Sequence, residues 1–554
     1  MTNLVRNVGS VADERPEGTA VHFDGTDVSY GALWQRTGQF AQALADHGLE
    51  PDDPVGVYLP NLPQFVTAFH GTLRAGGVVV PMNPQYKSRE ISHLLGDSGA
   101  KAVVALADLA PFVEAVRDET DVEHLITVGG EAETGTPFEE FLADETHDVV
   151  DRGDDDLAVQ PYTSGTTGQP KGVQLTHDNL TSNAEVAADL VPDGIRPDDK
   201  SLGVLPLFHI YGMTVVMNAT LFSGGAYYPL PSWDAEQAVG LIQSEELSLF
   251  QGVPAMYNDI INQPDAEEFD LSSLRLCGVG GSGIPVEVLR RFEELYDATI
   301  YEGYGLTETS PVTHFNSPEA GRRVGSIGKS LPGVDSRVVD TEAQSASSNR
   351  TESDDEEFEE VPPIEKGPVD EEEAALDEIT GEIVVAGPNV MKGYSGLPDA
   401  NEEAFTEKDG KRWFHTGDIG YHDEDGFFYV IDREKHVIVT GGYNVYPREV
   451  EELLFEHEAV ADAAVVGIPD ERRGETVKAF IVPASVASGG SSGEQSESDG
   501  VPTPNADVTE DEIREYCLST LAEYKHPRQV EFVEELPRTT TGKVQKFELR
   551  EADE

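Results

Sequence analysis

The residues with the densest chemical promise run Tyr162-Thr-Ser-Gly-Thr-Thr-Gly-Gln-Pro-Lys-Gly172. Gly165, Gly168 and Gly172 let the backbone turn and present its N–H groups to an anion. Hydroxyls on Thr163, Ser164, Thr166 and Thr167 add donors, and Lys171 adds a positive point charge. The composition is that of a phosphate cradle. It is not a Walker A loop, because no Gly-Lys-Ser/Thr follows at the required spacing. A second glycine run, Gly278-Val-Gly-Gly-Ser-Gly283, fits G-x-G-x-x-G between an expected strand, Leu274 to Cys277, and an expected helix, Pro285 to Leu295. Read alone it suggests a dinucleotide fold, but a lone match of this kind is weak.

Five more motifs follow the phosphate cradle in order. They are Pro206-Leu-Phe-His-Ile-Tyr-Gly212, Tyr304-Gly-Leu-Thr-Glu-Thr309, Trp413-Phe-His-Thr-Gly-Asp418, Asp432-Arg-Glu-Lys435 running into Gly441-Gly-Tyr-Asn-Val-Tyr-Pro447, and Pro537-Arg-Thr-Thr-Thr-Gly-Lys543. With these six motifs the chain resembles the adenylate-forming superfamily, which includes acyl-CoA synthetases, luciferases and the adenylation domains of peptide synthetases. The resemblance covers nearly all 554 residues, leaving out two acidic insertions. It implies an α/β protein. Residues 1–431 would form a large N-terminal region of two doubly wound α/β subdomains plus a distorted β-barrel subdomain. Residues 432–554 would form a small mobile C-terminal α/β domain, with the active site at the junction. The implied reaction joins a carboxylic acid to AMP, using ATP and Mg²⁺, and then passes the acyl group to coenzyme A.

The residue types suit these roles. Tyr304 can stack on adenine. Thr307 can donate to the α-phosphate, and Glu308 is a hard oxygen ligand suited to Mg²⁺. Asp418 can accept both ribose hydroxyls, and Arg433 can reach the ribose or phosphate side. Lys543 is the catalytic candidate. A carboxylate attacking an α-phosphate brings two anions together, and a lysine touching both offsets their repulsion. Lys546 is the less favoured alternative. The substrate carboxylate is itself the nucleophile, so no side chain need be one. In the resembling family the second glycine turn, with Gly281 and Ser282, lies against adenine and the acyl group. Lys435 stands at the family's hinge position, and Gly441, Gly442 and Tyr443, with Asn444, would meet the pantetheine arm of CoA.

The acid is harder to read. Amino-acid adenylating domains usually carry an Asp to pair with the substrate ammonium, where this chain has Phe208-His209. The neighbouring residues Ile210, Tyr211, Met213, Val215, Val216 and Met217 are apolar, so an uncharged acyl tail is expected. His209 would contact the carboxylate or gate the pocket, with a packed core histidine as the alternative. The motifs look most like medium- to long-chain fatty acyl-CoA ligases. Coumarate-type aryl-CoA ligases are the close rival, and an acyl-AMP ligase serving a carrier protein is the other class.

The elements that must position these residues follow from periodicity. Helical patterns at Tyr30 to Gly48, Pro63 to Ala75 and Ser88 to Ser98 alternate with apolar runs at Val55 to Leu59, Gly77 to Pro81 and Ala102 to Ala105. Such alternation predicts a doubly wound parallel sheet. Residues 351–378 hold 14 acidic residues against Lys366 alone and are expected to be a disordered or loosely ordered loop. Residues 483–508, rich in Ser, Gly and acid, read as a linker. Thr509 with Glu512 forms a capping box for a helix running to about Ala522.

Charge bounds the partners. Asp plus Glu is 104 against 38 Lys plus Arg, a net of −66, spread along the whole chain. Such a surface repels nucleic acid and anionic lipid. It suits a halophile's solvated exterior, with stability falling at low salt. Cys277 and Cys517 give no disulfide framework and suit a reducing cytosol. No apolar h-region opens the chain, and the charge-free stretch Ser201 to Trp233 is broken by prolines and glycines, so a cytoplasmic protein without a membrane span is expected.

Overall fold

The computed structural model describes residues 3–130, 134–164, 170–340, 359–369, 379–440, 443–457, 459–470, 472–484, 508–538 and 544–551. Gly165, Thr166, Thr167, Gly168, Gly441, Gly442 and Lys543 lie outside them, as do most of both acidic insertions. Two compact units are present: Met1–Ser336 with Val385–Phe414, and Arg337–Val384 with His415–Glu554.

In the first unit, one sheet is built on parallel strands Pro54–Tyr58, Val78–Pro81, Ala102–Leu106 and His124–Val128. Pro170–Thr176 joins this sheet antiparallel to Leu157–Val159. The short strand Gly393–Tyr394 then caps it antiparallel to Pro170–Thr176. A second sheet runs Ile300–Gly305, Leu276–Val279, Leu249–Gly252, Lys200–Gly203, Ala226–Pro229 and Thr19–Phe23, parallel throughout. Antiparallel strands extend both of its edges. All four residues of Val78–Pro81 and of Leu249–Gly252 are buried, as expected for strands covered on both faces. Each fully buried aliphatic side chain contributes about 1.5–3 kcal/mol.

Local chemistry explains the helix ends. Helix Ser88–Ser98 starts where Glu90 accepts the Lys87 N–H at 3.0 Å and stops at Gly99, whose φ of 67° few other residues tolerate. Helix His177–Asp189 begins with Thr176 and Asn179 capping each other. Pro63 opens helix Pro63–Arg74 at its first turn, where no N–H is needed. The residues Tyr211–Asn218 form a π-helix. No helix among the described residues is long and apolar enough to cross a membrane.

A five-stranded sheet, Asp335–Val339, Gly381–Ala386, Lys411–His422, Phe405–Lys408 and Phe428–Arg433, supplies the β-rich part. In the second unit a separate sheet has Val460–Asp470 and Gly474–Pro483 as its long hairpin, with Gln529–Phe532 parallel to the latter. Helices Pro447–Phe455 and Glu510–Thr520 cover it, and Val450, Leu454, Ile513 and Cys517 are fully buried there. The Thr509 capping box forms as expected, and its helix ends at Thr520.

One expectation needs correction. The acidic insertion 351–378 is not loose throughout. Within it, residues 359–369 bridge Val339 to Glu360 and Ile364 to Asp423. Gly367 N–H donates to Asp423, and Val369 N–H donates to the Tyr421 hydroxyl at 3.1 Å. Ile364 and Val369 pack on the cluster of Tyr421, Tyr429 and Ile431. Val361, Ile364 and Val369 anchor the segment despite the local charge.

Candidate active site

In the first unit the phosphate-cradle residues are held by two paired strands. Tyr162–Ser164 and Pro170–Thr176 run antiparallel, with Thr163 opposite Lys171 and Ser164 opposite Pro170. Residues 165–169 connect these strands in sequence. Helix Ser88–Ser98 grips both roots. Asp97 accepts the Tyr162 hydroxyl at 2.7 Å, and His93 Nε2 donates to the Pro170 carbonyl at 2.8 Å. Thr163 and Lys171 are half-buried.

Lys171 then meets the third motif. Its ammonium lies 5.0 Å from the ring centre of Tyr394, whose hydroxyl donates to Glu308 Oε1 at 2.9 Å. Thr307, Glu308 and Thr309 form one 3-10 turn. The strand that carries Tyr394 pairs with Val173 and Gln174. Met391 N–H donates to the Glu308 carbonyl at 2.8 Å, and Asn389 Nδ2 donates to that of Thr309 at 2.9 Å. A cation and a hard carboxylate, far apart in sequence, therefore flank one tyrosine.

Tyr304 lies on strand Ile300–Gly305, half-buried, with His314 at 5.8 Å between ring centres. His314 Nδ1 shares a hydrogen bond with Thr313 Oγ1 at 2.9 Å. Burial lowers the His314 imidazole to about 3, so it is neutral at pH 7.

The second glycine turn follows Leu276–Val279, a strand shifted two residues from the expected one, and precedes helix Val286–Tyr296. Gly281 has φ 85°, and Gly281 and Ser282 are exposed. A Cβ on Gly280 would stand 3.2 Å from Tyr211 Cε1, a tight contact that would push the ring back by a few tenths of an ångström. Burial also pushes the Tyr211 phenol pKa up.

The expected apolar wall is divided. Tyr211 faces the glycine turn, whereas Val215 packs towards Ala184, Ala187 and Ala188, and Met213, Val216 and Met217 are core residues. His209 is half-buried at the start of the π-helix, where its carbonyl accepts the Met213 N–H at 3.1 Å. Neighbouring Cys277 is inert, because burial pushes its thiol up to about 12.

In the second unit Asp418 and Arg433 are cross-strand partners, joined Oδ1 to Nε at 2.9 Å, with Asp418 3% exposed. Lys435 is exposed on the 3-10 turn Glu434–His436. Asp432 accepts the N–H groups of Arg433 and Arg448, at 2.7 and 3.0 Å. Burial works to raise its carboxyl, but the His436 hydrogen bond and the Lys546 charge hold it below its ordinary value. Tyr443 opens strand Tyr443–Val445. Lys546 is half-buried and pairs with the half-buried Glu451 at 2.7 Å. Arg538 bridges Val544, and Gln545 N–H donates to the Pro537 carbonyl at 2.8 Å.

Sequence reasoning missed Tyr394, Asn389 and the Asp97–His93 grip. Each acts through long-range pairing, which no local motif reveals. The one available signal was the Gly393-Tyr394 pair after a buried strand.

Known proteins match this arrangement. The AMP-binding enzyme family matches residues 9–395, and the AMP-binding enzyme C-terminal domain matches residues 449–543. A long-chain-fatty-acid–CoA ligase of Bacillus subtilis is 35% identical over 570 residues, covering 97% of this chain and 92% of that protein. A feruloyl-CoA synthase of an Amycolatopsis species is 35% identical over 537 residues, covering 97% and 96%. The crystal structure of ATP-bound MatB from Rhodopseudomonas palustris is 29% identical, with a TM-score of 0.83, covering 100% of this chain and 99% of that one. Sequence and fold agree, and the chain belongs to the AMP-binding enzyme family.

Proposed function

We propose that this AMP-binding enzyme is an acid–CoA ligase whose acid is a medium- or long-chain fatty acid. The observation that carries the nucleotide half is the Lys171–Tyr394–Glu308 cluster. It sets a cation for phosphate oxygens beside a carboxylate of the kind that holds Mg²⁺. Glu308 fits that ion as a hard oxygen donor. Bound there, Mg²⁺ would neutralise phosphate charge. Thr307, on the same turn, would donate to the α-phosphate, and Tyr304 would stack on adenine. Asp418 would hold the ribose, and its pair with Arg433 keeps that carboxylate oriented.

The acid's carboxylate oxygen bonds to the α-phosphorus as the bond to pyrophosphate breaks. Lys543 would offset the charge of that step. In the second half-reaction the CoA thiol sulfur bonds to the acyl carbon and AMP leaves. We assign the two half-reactions to rotation of residues 432–554 about Lys435, with Gly441, Gly442 and Tyr443 towards pantetheine. The long-chain relatives support a fatty acyl tail, while His209 would meet the carboxylate. The feruloyl-CoA synthase relative favours an aryl acid as the second reading. A cytoplasmic location is part of the proposal.

Acid-dependent exchange of labelled pyrophosphate into ATP, without CoA, tests the first half-reaction. Palmitate should support exchange. Lys543→Ala should lower it about 10²–10³-fold. Equal exchange by that variant would remove Lys543 from the chemistry, and no exchange with any acid would defeat the adenylation reading.

A further inference from the structure

Tyr394 touches both charged side chains of the candidate phosphate site, and no motif above assigns it a role. Its ring faces the Lys171 ammonium at 5.0 Å, and its hydroxyl donates to Glu308 Oε1 at 2.9 Å. We propose that Tyr394 is a positioning residue for the metal-bound triphosphate. It orients the Glu308 carboxylate towards Mg²⁺ and keeps Lys171 from pairing with that carboxylate. The inference rests on the reading of Glu308 as the metal ligand.

The backbone makes Tyr394 a fixed post. Its N–H donates to Asn401 Oδ1 at 2.7 Å, and its carbonyl accepts from Asn401 Nδ2 at 2.9 Å. Its strand pairs with Val173 and Gln174, two and three residues beyond Lys171. The Met391 N–H ties the same segment to the Glu308 carbonyl at 2.8 Å. Tyr394 is therefore anchored to both partners through backbone as well as side chain.

The chemistry follows from what each half of the tyrosine offers. A phenol hydroxyl donating to one carboxylate oxygen fixes the plane of the group and leaves it ionised. The ring face attracts an ammonium more weakly than a carboxylate would. Lys171 is thus held near its working position by a contact that a phosphate oxygen readily displaces. A direct Lys171–Glu308 ion pair would have to be broken by both the triphosphate and the metal. No such pair is present among the described residues.

The test is ATP binding by calorimetry on the full chain, without acid or CoA, at increasing Mg²⁺. Tyr394→Phe, Tyr394→Leu and Glu308→Gln are compared with the parent protein. Tyr394→Phe keeps the ring. It should bind metal-free ATP as the parent does, but need about tenfold more Mg²⁺ for the same gain in affinity. Tyr394→Leu should also weaken metal-free ATP binding, because Lys171 loses its support. A merely structural tyrosine would lower the melting temperature without moving the Mg²⁺ dependence, and that result would overturn the proposal. Loss of Mg²⁺ dependence in Glu308→Gln with a parent-like Tyr394→Phe would overturn the tyrosine's role alone. An unchanged Mg²⁺ dependence in Glu308→Gln would instead remove Glu308 as the ligand, and the proposal with it.

Discussion

His314, a single buried residue beside Tyr304, ties the stability of the fold to pH. It packs beside Tyr304 and hydrogen-bonds the uncharged Thr313 and Ser330. Burial lowers its pKa to about 3, and burial likewise lowers His70 and His177 to about 4. The unfolded chain takes up these protons nearer pH 6.5. Between those values the unfolded state binds more protons, so stability rises with pH there. The stabilisation is complete above about pH 6.5 and is lost as pH falls towards 4, by up to about 1.4 kcal/mol per pH unit per histidine. The melting temperature should therefore fall between pH 7 and pH 4, and His314→Gln should flatten that slope. Identical slopes would show that His314 is not held neutral by the fold.

At the scale of elements, the helix Ser88–Ser98 does more than cover a sheet. Through Asp97 and His93 it pins the two strands that flank the glycine run. Removing one such hydrogen bond costs about 1 kcal/mol. Asp97→Ala should therefore raise KM for ATP about three- to tenfold while leaving KM for the acid near its parent value, measured by steady-state kinetics. Equal changes in both would mean a general loss of order. This helix was legible in advance, from Ser88 to Ser98, because periodicity and Gly99 are local signals. The Thr509 cap was legible for the same reason. The π-helix Tyr211–Asn218 was not: its run is apolar on every side, so no period stands out. The wall it was expected to form turns most of its side chains into the core, while Tyr211 reaches the glycine turn. Tyr394 was invisible because its meaning lies in pairing with residues more than 80 and 200 positions away. Residues 359–369 misled through composition: acid dominates the count, but Ile364 and Val369 decide the packing.

For the whole molecule, the excess of acidic residues is the most unusual bulk property. At a net charge of −66, repulsion among surface carboxylates exceeds what the few basic residues offset. At molar salt the Debye length falls to roughly 3 Å, which screens that repulsion. Unfolding midpoints should therefore drop as KCl is lowered from about 2 M to 0.05 M, as followed by circular dichroism. A midpoint independent of salt would contradict a surface adapted to it. The same condition governs the decisive assay, which is acyl-CoA formation in molar KCl with Mg-ATP, using palmitate and ferulate separately, with and without CoA. A thioester that forms from palmitate only when CoA is present, with one AMP and one pyrophosphate released for each, is the predicted result. AMP and pyrophosphate released from either acid without any thioester would contradict it.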